Sequence, residues 1–253
     1  MNTNGPMLEN HVALVTGGAR NIGRATAEAL SAAGAAVVIH VDRSRDEAAA
    51  LADEIERAGG RAMWHAADLT REDAVRGLFA AVDDRFGRLD ILVNNASLRA
   101  QTPAAELSLA AWREVQAVVV EGTFLCCREA HPLLARRGGT IVNIGGVAGH
   151  RGAVGRAHVA AAKAAVAGLT RALAREWAAD GIRVNTVSPG VIDTARGPTA
   201  GALPPDYAAD GGLLGRKGRP AEVAAMVVAL CGPAGGYVTG QVIHANGGMH
   251  IPG

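Results

Sequence analysis

Val12-Ala13-Leu14-Val15-Thr16-Gly17-Gly18-Ala19-Arg20-Asn21-Ile22-Gly23 is the stretch that decides the fold. Its four apolar residues read as a short strand and its glycines as a turn. Ala25, Ala29 and Leu30 follow at helical spacing. Strand, glycine turn and helix together make an anion site. Glycine lets the backbone approach a pyrophosphate, and the helix N-terminus offers free N–H groups and the positive end of its dipole. A second apolar run, Ala36-Val37-Val38-Ile39, completes the start of a β-α-β unit, the context that makes a glycine turn informative about dinucleotide binding.

Working outward, strands and helices alternate to the end of the chain. Apolar runs lie at Ile91-Leu92-Val93, Thr140 to Ile144, Arg183 to Val187 and Val242-Ile243. Helical patterns span Asp46 to Ala58, Glu72 to Phe86, Ala111 to Leu134, Ala157 to Ala179 and Pro220 to Leu230. This alternation predicts one α/β domain over residues 1–253, a Rossmann-type doubly wound parallel sheet with helices on both faces and a site at the C-terminal strand ends.

With 253 residues, 49% of them hydrophobic, the chain suits one large domain. A net charge of +1 gives no global attraction to nucleic acid or membrane, so the expected partner is a small-molecule substrate. Met1 to Asn10 is polar, without an apolar leader core, and no apolar run approaches the ~18 residues of a membrane span; a cytoplasmic location is expected. Cys126, Cys127 and Cys231 lack metal or redox spacing and read as core packing. No metal site is expected.

Five segments, Thr16 to Gly23, Asp68-Leu69, Asn94-Asn95-Ala96, Ser188-Pro189-Gly190, and Ile192 with Thr194, occur in order along the whole chain. In this the sequence resembles the short-chain dehydrogenase/reductase family, whose members bind NAD or NADP. The resemblance implies that Gly17, Arg20, Asn21, Ile22 and Gly23 hold the pyrophosphate, Asp68 and Leu69 face the adenine, and Asn94 and Ala96 border the ribose. Pro189, Gly190, Ile192 and Thr194 then meet the nicotinamide end. Asn21 stands at the family's middle glycine and Ser97 at another; small polar residues tolerate turn conformations.

The family's catalytic set of asparagine, serine, tyrosine and lysine is met only at Lys163. Val119, Gly146 and Val159 stand at the other three positions. In the family the tyrosine protonates the carbonyl oxygen as hydride arrives, the serine hydrogen-bonds that oxygen, and the lysine holds the nicotinamide ribose and lowers the tyrosine pKa. A positioned acid contributes ~10²- to 10⁴-fold, so a substitute is needed for ordinary carbonyl reduction. The expectation is a cofactor cradle kept and a pocket floor with different chemistry.

Lys163 is the first catalytic candidate, as ribose ligand or, desolvated, as the acid itself. His158 is the second, although one residue's step turns it about 100° from the face shared by Val159 and Lys163. Arg156 shares that face. His150 and Arg151 lie in the loop that borders substrate in the family and suit an anionic or phenolic group; Ser97, Arg99 and Tyr207 are rim candidates. Arg20, Arg43 and Arg45 favour NADP, whereas Asp42 favours NAD by accepting from a free 2′-hydroxyl; the balance leans to NADP.

The Gly- and Pro-rich stretch 195–219 reads as a mobile substrate lid. The Ala-rich helix from Ala157 offers small packing faces, and with the resemblance it implies a homo-oligomer, dimer or tetramer. Three functions remain open: a reductase or dehydrogenase with a rearranged proton donor, a non-redox isomerase, lyase or cyclase, and a nucleotide-binding pseudoenzyme.

Overall fold

The computed structural model describes residues 6–195 and 211–252. Seven strands form one parallel sheet in the order β3-β2-β1-β4-β5-β6-β7: β1 (Val12–Val15), β2 (Ala36–Val41), β3 (Arg61–Ala66), β4 (Ile91–Asn94), β5 (Gly139–Ile144), β6 (Ile182–Pro189) and β7 (Val242–Ala245). The helices are α1 (Asn21–Ala32), α2 (Arg45–Arg57), α3 (Glu72–Phe86), α4 (Leu109–Gln116), α5 (Gly122–Leu134), α6 (Ala148–Arg151), α7 (Ala157–Glu176) and α8 (Pro220–Cys231). From β1 the chain builds outward to β3, then crosses back to β4 on the other side. The order reverses between β1 and β4, and a cleft opens there.

The sheet is apolar on both faces because both are covered. Val37 and Ile39 of β2 pack with Ala27, Leu30, Leu51 and Val227 of α1, α2 and α8. Val38 and Leu14 turn the other way, to Leu78, Val82, Leu134 and Leu173 of α3, α5 and α7. Such burial explains the continuous apolar runs of β1, β2 and β4. The three cysteines are free and buried, as expected of core residues.

Two elements were not expected from the sequence. Strand β3 pairs only with β2 at the edge, and exposed Arg61 and Trp64 break its apolar run. Helix α6 is a single turn after β5. The long expected helix from Ala111 is broken midway by a π turn, Ala117–Glu121, which joins α4 to α5. Residues 196–210, most of the expected lid together with Tyr207, lie outside the described residues.

The glycine turn between β1 and α1 is closed by its neighbours. Gly17 takes φ +60, and a Cβ on Gly23 would lie 2.1 Å from the Gly17 carbonyl oxygen. The Asn95 Nδ2 donates to the carbonyls of Thr16 and Gly17, each at 2.9 Å, while the Thr16 hydroxyl accepts from the N–H groups of Asn95 and Ala96. His40 of β2 props the turn from below. Its Nδ1 accepts from the Gly17 N–H at 3.2 Å, and its Nε2 lies 2.9 Å from the Ala67 carbonyl, a pairing that requires the neutral ring.

Burial pushes the His40 pKa from 6.5 down to about 4. Between those values the unfolded chain binds a proton that the folded chain does not. His40 therefore supports the fold above pH 6.5, and that support fades as pH falls toward 4. At ~1.36 kcal/mol per pH unit, the loss is about 3 kcal/mol. Denaturant unfolding at pH 7.5 and 4.5 will show it. His40→Leu removes this part of the pH dependence and, by leaving the Gly17 N–H without an acceptor, lowers stability at neutral pH by ~1–3 kcal/mol.

Candidate active site

The C-terminal ends of β1, β4, β5 and β6 open onto one cleft. Ile22 from α1 lines it, with Asn95 and Ser97 to Ala100 after β4, Gly145 to Ala148 and Arg151 to Val154 after β5, Arg156, Val159 and Lys163 around α7, and Pro189 to Ile192 after β6. Four of the five segments that the sequence points to contribute lining residues, each delivered by the loop after its strand, whereas Asp68-Leu69 lies outside the lining.

Helix α1 begins without a side-chain cap. Its first N–H groups thus have no side-chain acceptor, which suits a pyrophosphate. Asn21 takes φ +51, the left-handed conformation that glycine favours, and its Nδ2 reaches across to the Ala195 carbonyl at 3.1 Å. Arg20 is ion-paired with Glu47, and Arg43 with Asp42 at 3.2 Å, just past the end of β2. The exposed carboxylate of Asp68 accepts from the N–H and hydroxyl of Thr70, which hold its pKa below the ordinary value. Leu69 beside it is buried, and a Cβ on Gly122 would touch it at 3.2 Å.

Asn94 and Asn95 make their hydrogen bonds in different places. The Asn94 amide turns into the interior, donating to Asn143 Oδ1 at 2.9 Å and Cys127 Sγ at 3.3 Å. Asn143 continues the chain to Thr170, which meets Thr186 at 2.7 Å. It is Asn95, absent from the expected site residues, that braces the glycine turn. The double Asn in the sequence holds both possibilities, and strand alternation at the end of β4 decides between them. Ala96 follows through its N–H, and Thr194 accepts from Arg99 Nη1 at 2.9 Å.

At the chemical end, Lys163 is 9% exposed and its Nζ donates to the Ile144 carbonyl at 2.7 Å. Burial, and then the nearby Arg99 charge, bring its pKa down from 10.5 to about 8. A Cβ on Gly146 would meet only Lys163 Cγ, at 3.8 Å, so the space beside the lysine is open. Val159 and Val119 join Val115, Ala162 and Val166 in a small apolar cluster, with Val119 inside the π turn. Arg99, Arg151, Arg156 and Lys163 all line the cleft, and among its described lining residues there is no carboxylate.

His158 is not among the residues lining the cleft. It is fully buried, its two ring nitrogens have no hydrogen-bond partner among the described residues, and its carbonyl accepts from Gln116. Burial lowers its pKa. The helical step that separates it from Val159 is the reason. His150 also lies outside the cleft lining, against His244 and His250.

A family profile described as enoyl-(acyl carrier protein) reductase matches residues 17–250. A 3-oxoacyl-(acyl-carrier-protein) reductase of Synechocystis sp. is 40% identical over 244 residues, covering 96% of this chain and 98% of the relative. A cis-4-hydroxycyclohexanecarboxylate dehydrogenase of Sinomonas cyclohexanicum is 41% identical over 251 residues, covering 96% and 98%. Among solved structures, a dehydrogenase/reductase from Sinorhizobium meliloti 1021 superposes with a TM-score of 0.90 at 35% identity, covering 98% of each chain. A short-chain dehydrogenase/reductase from Serratia marcescens gives 0.87 at 35% identity, covering 97% of this chain and all of that one. With the glycine turn, the strand order and the cleft in place, these matches over nearly the whole length make the chain a member of the short-chain dehydrogenase/reductase family.

Proposed function

We propose that the chain is an NAD(P)-dependent oxidoreductase that interconverts a small, negatively charged carbonyl compound and its alcohol, with Lys163 as the proton donor. The observation that carries this reading is the buried ammonium of Lys163 at the cleft floor, beside Gly146 and Val159, where the family resemblance places a serine and a tyrosine. A bound nicotinamide ring supplies or accepts the hydride. One N–H of Lys163 is spent on Ile144, and two remain for a ribose hydroxyl and the substrate oxygen. A pKa of about 8 keeps the amine protonated at neutral pH and close to release, the condition for an effective general acid.

Charge supports the anionic substrate. Arg99 and Lys163 line the cleft, and a guanidinium recognises a carboxylate by paired hydrogen bonds. The Sinomonas relative acts, by its name, on a hydroxy acid. The pairs of Arg20 with Glu47 and Arg43 with Asp42 bear on the cofactor. We infer a lean to NADP from Arg20, Arg43 and Arg45, with Arg43 exchanging Asp42 for the 2′-phosphate. A second reading, non-redox chemistry or nucleotide binding alone, is favoured by one feature: Val119, Gly146 and Val159 bring no proton to the cleft.

Titration with NADPH and NADH, followed by nicotinamide fluorescence, is expected to show saturable binding. Gly23→Ala abolishes it, because the added Cβ lies 2.1 Å from the Gly17 carbonyl oxygen and forces the turn open. A nucleotide that fails to bind the native chain moves the protein to the non-redox reading.

Reduction of a keto acid, read as loss of nicotinamide absorbance, is expected to fall as pH rises through about 8, where Lys163 loses its proton. Lys163→Met lowers kcat by ~10²- to 10⁴-fold and removes that limb of the pH profile. A profile unchanged in Lys163→Met rejects the lysine as donor.

Adding Val159→Tyr and Gly146→Ser to the native chain places a phenol and a hydroxyl beside Lys163. The double variant is expected to gain reductase activity, by up to the ~10²- to 10⁴-fold a positioned acid contributes. Steady-state kinetics with NADPH at pH 7 is the measurement.

A further inference from the structure

We infer that the chain carries a transition-metal site built from His150, His244 and His250, independent of the oxidoreductase reading above. The three side chains come from α6, from β7 and from the tail beyond it. Their rings nonetheless converge. Ring centroids lie 4.6 Å apart for His150 and His244, 4.9 Å for His244 and His250, and 5.2 Å for His150 and His250. One nitrogen from each ring lies within 4.8 Å of the other two. An ion bound between them would stand at the ~2.0–2.1 Å of a Zn–N bond from each nitrogen, with a fourth tetrahedral position for water.

The convergence is built by the backbone. Gly247 and Gly248 both take positive φ, +63 and +79, which folds the tail back over the end of β7. Asn246 fixes the fold-back. Its Nδ2 donates to the His250 carbonyl at 3.1 Å and faces His244 Nδ1 at 3.4 Å, while its Oδ1 accepts from the Gly248 N–H at 3.0 Å. Met249 seats the tail against the cleft turn, its Sδ accepting from the Val191 N–H at 3.2 Å. His250 is thus delivered to its partners by a made turn rather than by a free end.

A metal ion at this place would take one lone pair from each imidazole. Burial comes first in lowering the pKa of both His150 and His244. Neighbouring imidazoles add to it, and Arg171 adds to it for His150. A neutral imidazole is the ligand form. Three nitrogen donors without a carboxylate favour Zn²⁺, Ni²⁺ or Cu²⁺ over Mg²⁺ or Ca²⁺. Bound there, the ion ties the tail and β7 to α6, whose Arg151 lines the cleft.

The test uses the full chain with no affinity tag, stripped with chelator and titrated with Co²⁺. The expected result is one Co²⁺ per chain with the visible absorption of a tetrahedral nitrogen site. Zn²⁺ displaces it and raises the melting temperature. His150→Ala and His250→Ala each weaken binding by more than the ~100-fold that loss of an outer partner costs. His11→Ala, remote from the cluster in the first described turn, leaves it unchanged. Native chain without saturable binding, or a folded His150→Ala or His250→Ala chain that keeps the spectrum and affinity, overturns the site and leaves three rings in mutual contact.

Discussion

The closure of the glycine turn against the loop after β4 is the constraint on which the cleft depends. Asn95 holds two carbonyls of that turn at 2.9 Å, and Gly23 has no room for a side chain. This stitch joins the loops of β1 and β4 where the strand order reverses, so it fixes where α1 begins and which N–H groups face the cleft. A buried neutral His40 adds a third anchor from β2. Backbone groups in such a turn have no regular partners, and side chains from two other strands must satisfy them.

The opposite wall is governed by the burial of one cation. Removing an ammonium from water is costly unless it is paired or hydrogen-bonded, and Lys163 has a carbonyl at 2.7 Å and, among the described residues lining the cleft, no carboxylate. Its depressed pKa is the consequence. Behind it, the hydrogen-bonded line from Asn94 through Asn143 and Thr170 to Thr186 crosses β4, β5, α7 and β6. That line holds the strand ends in register beneath the lysine. Val159 and Gly146 leave the space in front of it apolar and open.

Most helices and strands were legible because their evidence is local. Apolar periodicity placed α3 at Glu72–Phe86 without error at either end, and glycine and helix-start chemistry placed α1. Strand β3 was not legible, since an edge strand exposes part of each residue pair and carries no continuous apolar run. The motif residues were found as segments, yet their division of labour was not. Asn94 and Asn95 are adjacent in the chain and point to opposite sides, and His158 is one helical step from the cleft face.

The sequence by itself determined the doubly wound class and the glycine turn, because strand period, helix period and turn chemistry are properties of neighbouring residues. Only the tertiary structure decided which side chains meet. Asn95 reaches Gly17 from 78 positions away, and His250 finds His150 by way of two left-handed glycines at the end of β7. Those meetings follow from strand register and crossover, which depend on how two apolar faces pack and leave no periodic trace in the chain.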